Sequence, residues 1–114
     1  MRHQKKKKLG RNNDQRRKLL KSLATSLFLY EKIVTSYANA RGVKSYAEKC
    51  LTKSKEGTLH ARRLLLAKLQ PMAVKKLMEV LGPKYKDRKG GYTRMVKLNN
   101  PAAGASKALL ELVE

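Results

Sequence analysis

The chain has no tryptophan, and five tyrosines and one phenylalanine are its whole aromatic content. Acids are scarce too: 8 Asp and Glu against 28 Lys and Arg in 114 residues, a formal net charge of +20. The eight acids are scattered, and no two form the local pattern of a general acid and base. Cys50 is the single cysteine, which excludes an intrachain disulfide framework and a multi-cysteine zinc site. His3 and His60, the two histidines, do not complete an ordinary zinc site with it. Cys50 and His60 could pair as nucleophile and base, but Cys50 falls on the apolar face of an expected helix. A free cysteine there is usually a small buried hydrophobe, and His60 reads as a surface residue. Gly90-Gly91 lacks the spacing and the Lys-Ser/Thr ending of a phosphate-cradling loop. No apolar run approaches the roughly 18 residues of a membrane span. The first residues lack the apolar segment of a secretory signal. The simplest compartment is the reducing cytosol, and no cofactor, metal or small-molecule substrate is expected.

Hydrophobic residues make up 41%, enough for a packed core. A small core carrying this much like charge repels itself and calls for an anionic partner. Nucleic acid, an anionic membrane and an acidic protein are the candidates. The charge is uneven: residues 1–21 hold ten cations and one acid, Asp14. Up to Gly10 the run has almost no apolar residues, so it is expected to be extended until it meets its partner. A membrane-surface segment wants Trp or Phe beside its cations, and this one has neither.

Periodicity places the elements. Leu19, Leu20, Leu23, Ala24, Leu27 and Phe28 recur with helical spacing over 14–29. Asn12 or Asn13 is the expected cap, with Gln15 completing a capping-box-like pair with Asn12. Lys32-Ile33-Val34-Thr35-Ser36 is β-branched and reads as a strand. A second helix is expected over 38–54, and a third over 59–69 with Thr58 as its cap. A fourth starts at Pro71 and is expected to stop at Gly82-Pro83, glycine as a left-handed cap and proline as a terminator. Residues 84–91 form a basic loop, 93–98 alternate as a strand, and 99–104 form a loop. Residues 108–113 read equally as a helix or as a buried strand.

Two cationic regions are candidates for phosphate contact. The first is the N-terminal run continuing into the polar face of the first helix, at Arg16, Arg17, Lys18 and Lys21. Lys and Arg there would displace the counterions condensed on a phosphate backbone. The second is Arg88-Lys89-Gly90-Gly91-Tyr92-Thr93-Arg94. Its glycines allow close backbone approach, Tyr92 offers a stacking face and Arg94 a bidentate fork. The same loop also reads as a hairpin entry with Tyr92 packed on the core. If strand alternation begins at Tyr92, Tyr92 and Arg94 share the outer face while Thr93 and Met95 face the core.

Met1-Arg2-His3 opening a basic run, Leu9-Gly10-Arg11-Asn12, residues 33–55, Gly90-Gly91-Tyr92-Thr93-Arg94 and Glu111-Leu112-Val113 together resemble bacterial large-subunit ribosomal protein seventeen. The resemblance is collinear over essentially the whole chain. It implies a structural constituent of the large ribosomal subunit, not an enzyme, that binds and stabilises large-subunit ribosomal RNA near the nascent-chain exit. Proteins twenty-two and thirty-two would be its neighbours in the cytoplasmic ribosome. It implies an α+β two-layer single domain over 13–114, ordered helix, strand, three helices, two strands, behind a basic extended N-terminal tail over 1–12. It also favours the strand at 108–113. The expected RNA-binding set is Arg2, His3, Lys5, Lys6, Lys7, Lys8, Arg11, Asn12, Arg16, Arg17 and Lys21, with Arg88, Lys89, Gly90, Gly91, Tyr92 and Arg94. The chain departs from the family at Asn39-Ala40-Arg41-Gly42, where Lys-Ala-Lys and an acid are usual. The rival reading is a small helical DNA-binding regulator with a basic arm, which would need a base-reading helix.

Overall fold

The structure, a computed structural model, describes residues 13–98 and 106–114. The expected tail, with its Asn12 cap, and the whole 99–104 loop lie outside that range. Helix α1 spans Asn13–Tyr30, with Asp14 in the first turn, where a negative charge suits the helix dipole. Strand β1 covers Lys32–Ser36. Helix α2 covers Tyr37–Ser54, its first turn capped by Ser36, whose hydroxyl accepts from the Asn39 amide. Helix α3 covers Leu59–Leu66, shorter than expected, and Thr58 caps it by accepting from the Ala61 amide. Helix α4 begins with Pro71–Lys76, and strands β2, Thr93–Leu98, and β3, Lys107–Leu112, follow it. The ambiguous 108–113 segment is therefore a strand, and the order is the expected helix, strand, three helices, two strands.

The expected stop at Gly82-Pro83 does not occur. The Pro71–Lys76 turns run into a wider π-turn over Leu77–Leu81 and a last helical turn over Gly82–Lys84, all here counted as α4. Gly82 is right-handed, with φ −56° and ψ −53°, and its amide reaches back five residues to the Leu77 carbonyl. Proline inside a regular helix clashes with the carbonyl four residues back and leaves it without a donor. The π-turn widens the helix just ahead of Pro83 and absorbs that conflict. Gly82 is required for a different reason from capping. A side chain on it would meet the Leu77 carbonyl oxygen at 2.9 Å and the Ser54 carbonyl oxygen at 3.2 Å, so α4 and the end of α2 approach at a bare backbone.

The three strands are antiparallel in the order β1-β3-β2, so the strand latest in the chain is central. Its register sets Ile33 and Met95 on either side of Leu110, facing the helices. Helices α1 and α2 pack on that face, with α3 and α4 against them. The core joins Leu27 and Phe28 of α1, Val43 and Leu51 of α2, Leu65, Leu77 and Leu81, and Leu110 of β3. Cys50 is buried in it, and burial pushes its thiol up to about 11, so it packs as a hydrophobe and not as a nucleophile. His60 is exposed. Among the described residues no buried side-chain polar atom lacks a partner. None of their helices is long and apolar enough to cross a membrane.

One residue, Glu31, links α1 to β1, and it turns the chain with φ +67°. Its amide donates to the Leu27 carbonyl, its carbonyl accepts from the Leu112 amide, and its carboxylate accepts from Lys76 Nζ at 2.9 Å. The hydrogen bond from Lys76 lowers the carboxyl below its ordinary value, against the opposing effect of burial. Left-handed backbone is costly for a residue with a side chain, and these three bonds hold it in place.

Candidate nucleic-acid interface

On α1, the outward cations lie beside two shallow clefts. One, of about 350 Å³, is lined by Asn13, Arg16, Arg17 and Leu20. The other, of about 220 Å³, is lined by Arg17, Lys18, Lys21, Tyr46, Ala67 and Lys68. Arg17 borders both, so the cationic edge continues from the start of α1 to the α3–α4 junction. Arg17 also pairs with Asp14 at 3.0 Å, but both side chains are more than 70% exposed, so the pair is weak and leaves the guanidinium accessible. Tyr46 and Lys68 were not legible as part of this edge from the sequence. Tyr46 sits on the apolar stripe of α2 and donates its hydroxyl to the Lys68 carbonyl at 2.6 Å, which ties the α3–α4 junction to α2. Burial raises its phenol above the ordinary value.

At the second cationic region, Lys55 is the organiser, and nothing in the sequence marked it. Its ammonium donates to the Arg88 carbonyl and, at 2.8 Å, to the Tyr92 hydroxyl, and lies 5.0 Å from the centre of the Tyr92 ring. Gly91 turns the chain with φ +63°, after which Tyr92 drops into the core against Tyr85, with ring centres 5.4 Å apart. The Tyr92 side chain is fully buried, which corrects the expectation that it offers a face for base stacking. The reason is that Tyr92 precedes β2, so strand alternation starts at Thr93 and the turn at Gly91 sets the direction of Tyr92. Burial raises the Tyr92 phenol, but the bonds from Lys55 and Thr52 and the Lys55 charge outweigh it and leave it below its ordinary value.

The start of β2 is then clamped by α2. Glu48 accepts from the Thr93 amide at 3.1 Å and from its hydroxyl at 2.8 Å, while Lys44 donates to the Thr93 carbonyl and hydroxyl oxygens. Thr93 and Met95 face the core side as alternation requires, and Arg94 points outward and pairs with Glu111 of β3. Arg88 and Lys89 are exposed. The structure thus keeps two separate cationic sets: the α1 edge with Lys68, and the 88–94 turn held by Lys55. Asn39 turns its amide back to the Thr35 hydroxyl at 3.4 Å.

Replacing Tyr92 by Phe keeps the buried ring and removes the hydroxyl bonded to Lys55. Stability is expected to fall by about 1.5 kcal/mol, the worth of a bond to a charged group. Nucleic-acid affinity of the folded protein, measured well below the melting range, is expected to stay within about twofold, because the ring is inside. A large loss of affinity with an unchanged melting temperature would instead make the hydroxyl a contact.

Among the described residues no cluster of His, Cys, Asp and Glu could hold a metal ion. A base-reading helix of the rival kind is also missing from the α3–α4 pair. Helix α3 has eight residues with Leu59, Leu64 and Leu66 exposed, and Lys76 of α4 is tied to the Leu29 carbonyl and Glu31.

A family model described as ribosomal protein L17 matches residues 19–113. The chain is 49% identical over 109 residues to the large ribosomal subunit protein bL17 of Thermoanaerobacter sp. (strain X514), covering 94% of this chain and 97% of the relative. It is 45% identical to the protein of that name from Clostridium acetobutylicum, with 94% and 96% covered. With the protein of that name from Syntrophotalea carbinolica the identity is 41%, covering all of this chain and 76% of the relative.

Proposed function

The chain belongs to the ribosomal protein L17 family, and we propose that it serves the large ribosomal subunit by cementing ribosomal RNA through two cationic surfaces and a basic tail. Its role is structural: it is a component of a ribonucleoprotein and carries out no reaction. The observation that supports this mode of action is the α1 edge, where Arg16, Arg17, Lys18, Lys21 and Lys68 line adjoining clefts. A run of cations along one edge suits a phosphate backbone, which favours recognition of RNA shape and backbone over base identity. The 88–94 turn is the second contact. There Arg88, Lys89 and Arg94 carry the charge, and Gly90 and Gly91 let the backbone come close. Residues 1–12 are the third, through Arg2, His3, Lys5, Lys6, Lys7, Lys8, Arg11 and Asn12, with 13–114 as the folded unit. We place the protein in the cytoplasmic ribosome near the nascent-chain exit, beside proteins twenty-two and thirty-two, on the strength of the resemblance of its motifs to the family.

The reading is tested by sedimenting a lysate through a sucrose gradient. The protein is expected to travel with the large subunit and to stay there through a high-salt wash. Travelling with chromosomal DNA would favour the regulator and overturn it. The double replacement Arg16→Gln and Lys21→Gln probes the α1 edge. It is expected to reduce the slope of log affinity for ribosomal RNA against log salt by roughly 1.5 to 2, about 0.7 to 0.9 per phosphate lost. Circular dichroism is expected to be unchanged, since neither side chain belongs to the core. An unchanged slope would remove this edge from the interface.

A further inference from the structure

Among the described residues, the sheet face away from the helices is not the polar surface such a sheet usually presents. An antiparallel sheet covered on one side normally sets polar residues on the other. Here the register stacks nine outward positions in three rows across β1, β3 and β2. The first row is Lys32, Glu111 and Arg94, all charged, with Arg94 paired to Glu111. The next is Val34, Leu109 and Val96, aliphatic on every strand. The third is Ser36, Lys107 and Leu98. Val34 is 56% exposed, Val96 40% and Leu98 37%. Singly exposed apolar residues need no explanation, but three strands that break alternation in the same row make a contiguous patch. With strands about 4.8 Å apart, the row is roughly 10 Å wide.

The chemistry of the face selects its occupant. RNA is disfavoured: none of the nine side chains is aromatic, so no base can stack, and the aliphatic row offers nothing to a phosphate. A second copy is disfavoured by charge, since two chains of net +20 repel each other. A protein segment with apolar side chains fits the central row. Lys32 and Lys107, on either side of that row, have no acidic partner among the described residues, so carboxylates suit the rim. We propose that this face docks a neighbouring protein of the large subunit, through an apolar segment flanked by acidic residues that meet Lys32 and Lys107. The proposal rests on the ribosomal reading above. It assigns the aliphatic row with its Lys32 and Lys107 flanks to protein and leaves the α1 edge and the 88–94 turn, Arg94 included, to RNA.

The test uses the full chain with benzoylphenylalanine at position 96, incorporated into large subunits that are purified and irradiated. A protein adduct is expected that survives ribonuclease, with the link on an apolar side chain and an Asp or Glu within a few residues of it. An adduct to RNA, an adduct between two copies, or no adduct in subunits that contain the chain overturns the proposal. The double replacement Val34→Thr and Val96→Thr keeps the β-branched shape that strands favour. In competition with wild type it is expected to enter large subunits about tenfold less well, while its affinity for naked ribosomal RNA changes less than twofold. Equal losses in both would assign the face to RNA, and no loss in either would leave it solvated; each overturns the proposal. If wild type itself is absent from large subunits, the ribosomal reading falls first, and the two failures are distinguishable.

Discussion

Replacing Gly82 by alanine is expected to lower stability by about 2 kcal/mol, the range of overpacking in a tightly fitted interior. For a domain of this size that is a fall of roughly 10–15 °C in melting temperature. The expectation runs against propensity, because Gly82 has ordinary right-handed helical backbone, where alanine usually gains about 1 kcal/mol. The clash reverses the sign. The added carbon would sit 2.9 Å from the Leu77 carbonyl oxygen and 3.2 Å from that of Ser54, and neither backbone atom can swing aside as a side chain would. Ser54 is held further by its own hydroxyl, which donates to the Leu51 carbonyl at 2.7 Å. Thermal melts followed by circular dichroism decide the matter. A variant as stable as wild type or more so would show that α2 and α4 separate freely. Gly91 offers a control of the other kind: nothing lies within 4 Å of a carbon added there, so its cost comes from φ +63° alone. About 1–2 kcal/mol is expected for Gly91→Ala from that conformation.

Deleting residues 2–8 is expected to change RNA binding more than any single substitution. The deletion removes Arg2, Lys5, Lys6, Lys7 and Lys8. If all five meet phosphates, the slope of log affinity against log salt falls in magnitude by roughly 3.5 to 4.5. Between 50 and 200 mM salt the full chain would then lose roughly 200-fold more affinity than the shortened one. The melting temperature is expected to hold, since the core is built from residues beyond the deletion. Filter binding across a salt series measures the slope. Identical slopes for the two chains would mean that these cations stay solvated in the complex.

Elements written in local chemistry were legible before any coordinates. The β-branched run at 32–36, the Thr58 cap and the alternation at 93–98 each depend on neighbours in sequence, and each forms as expected. Gly82-Pro83 was misread because local rules make that pair a helix stop. The reason for the glycine is the close approach of two carbonyls, that of Leu77 brought near by the π-turn and that of Ser54 on another helix, and neither follows from local propensity at position 82. For Tyr92 the sequence leaves a stacking face and a core position equally open, and the choice comes from the turn at Gly91 and from Lys55, just past the end of α2. On the α1 edge the cations were legible as a helix face, whereas Tyr46 and Lys68 join it only through tertiary packing. The aliphatic row on the sheet could not be seen at all from sequence. Val34, Leu109 and Val96 become neighbours only once β3 is known to lie between the other two strands.

That strand order also sets a timetable for synthesis. Val34 is made early, yet its partner Leu109 is made last among the paired strands, and β2 has no other strand to pair with either. While the chain emerges, α1 to α4 can gather through short-range contacts, but two strand edges stay open until 107–112 arrive to fill the gap between them. Closing such long loops is the slow part of folding. An open edge is also a template for wrong pairing. A newborn chain is thus most vulnerable just before completion, and a premature stop shortly before position 107 would leave a helical cluster with two unpaired ribbons rather than a slightly trimmed domain.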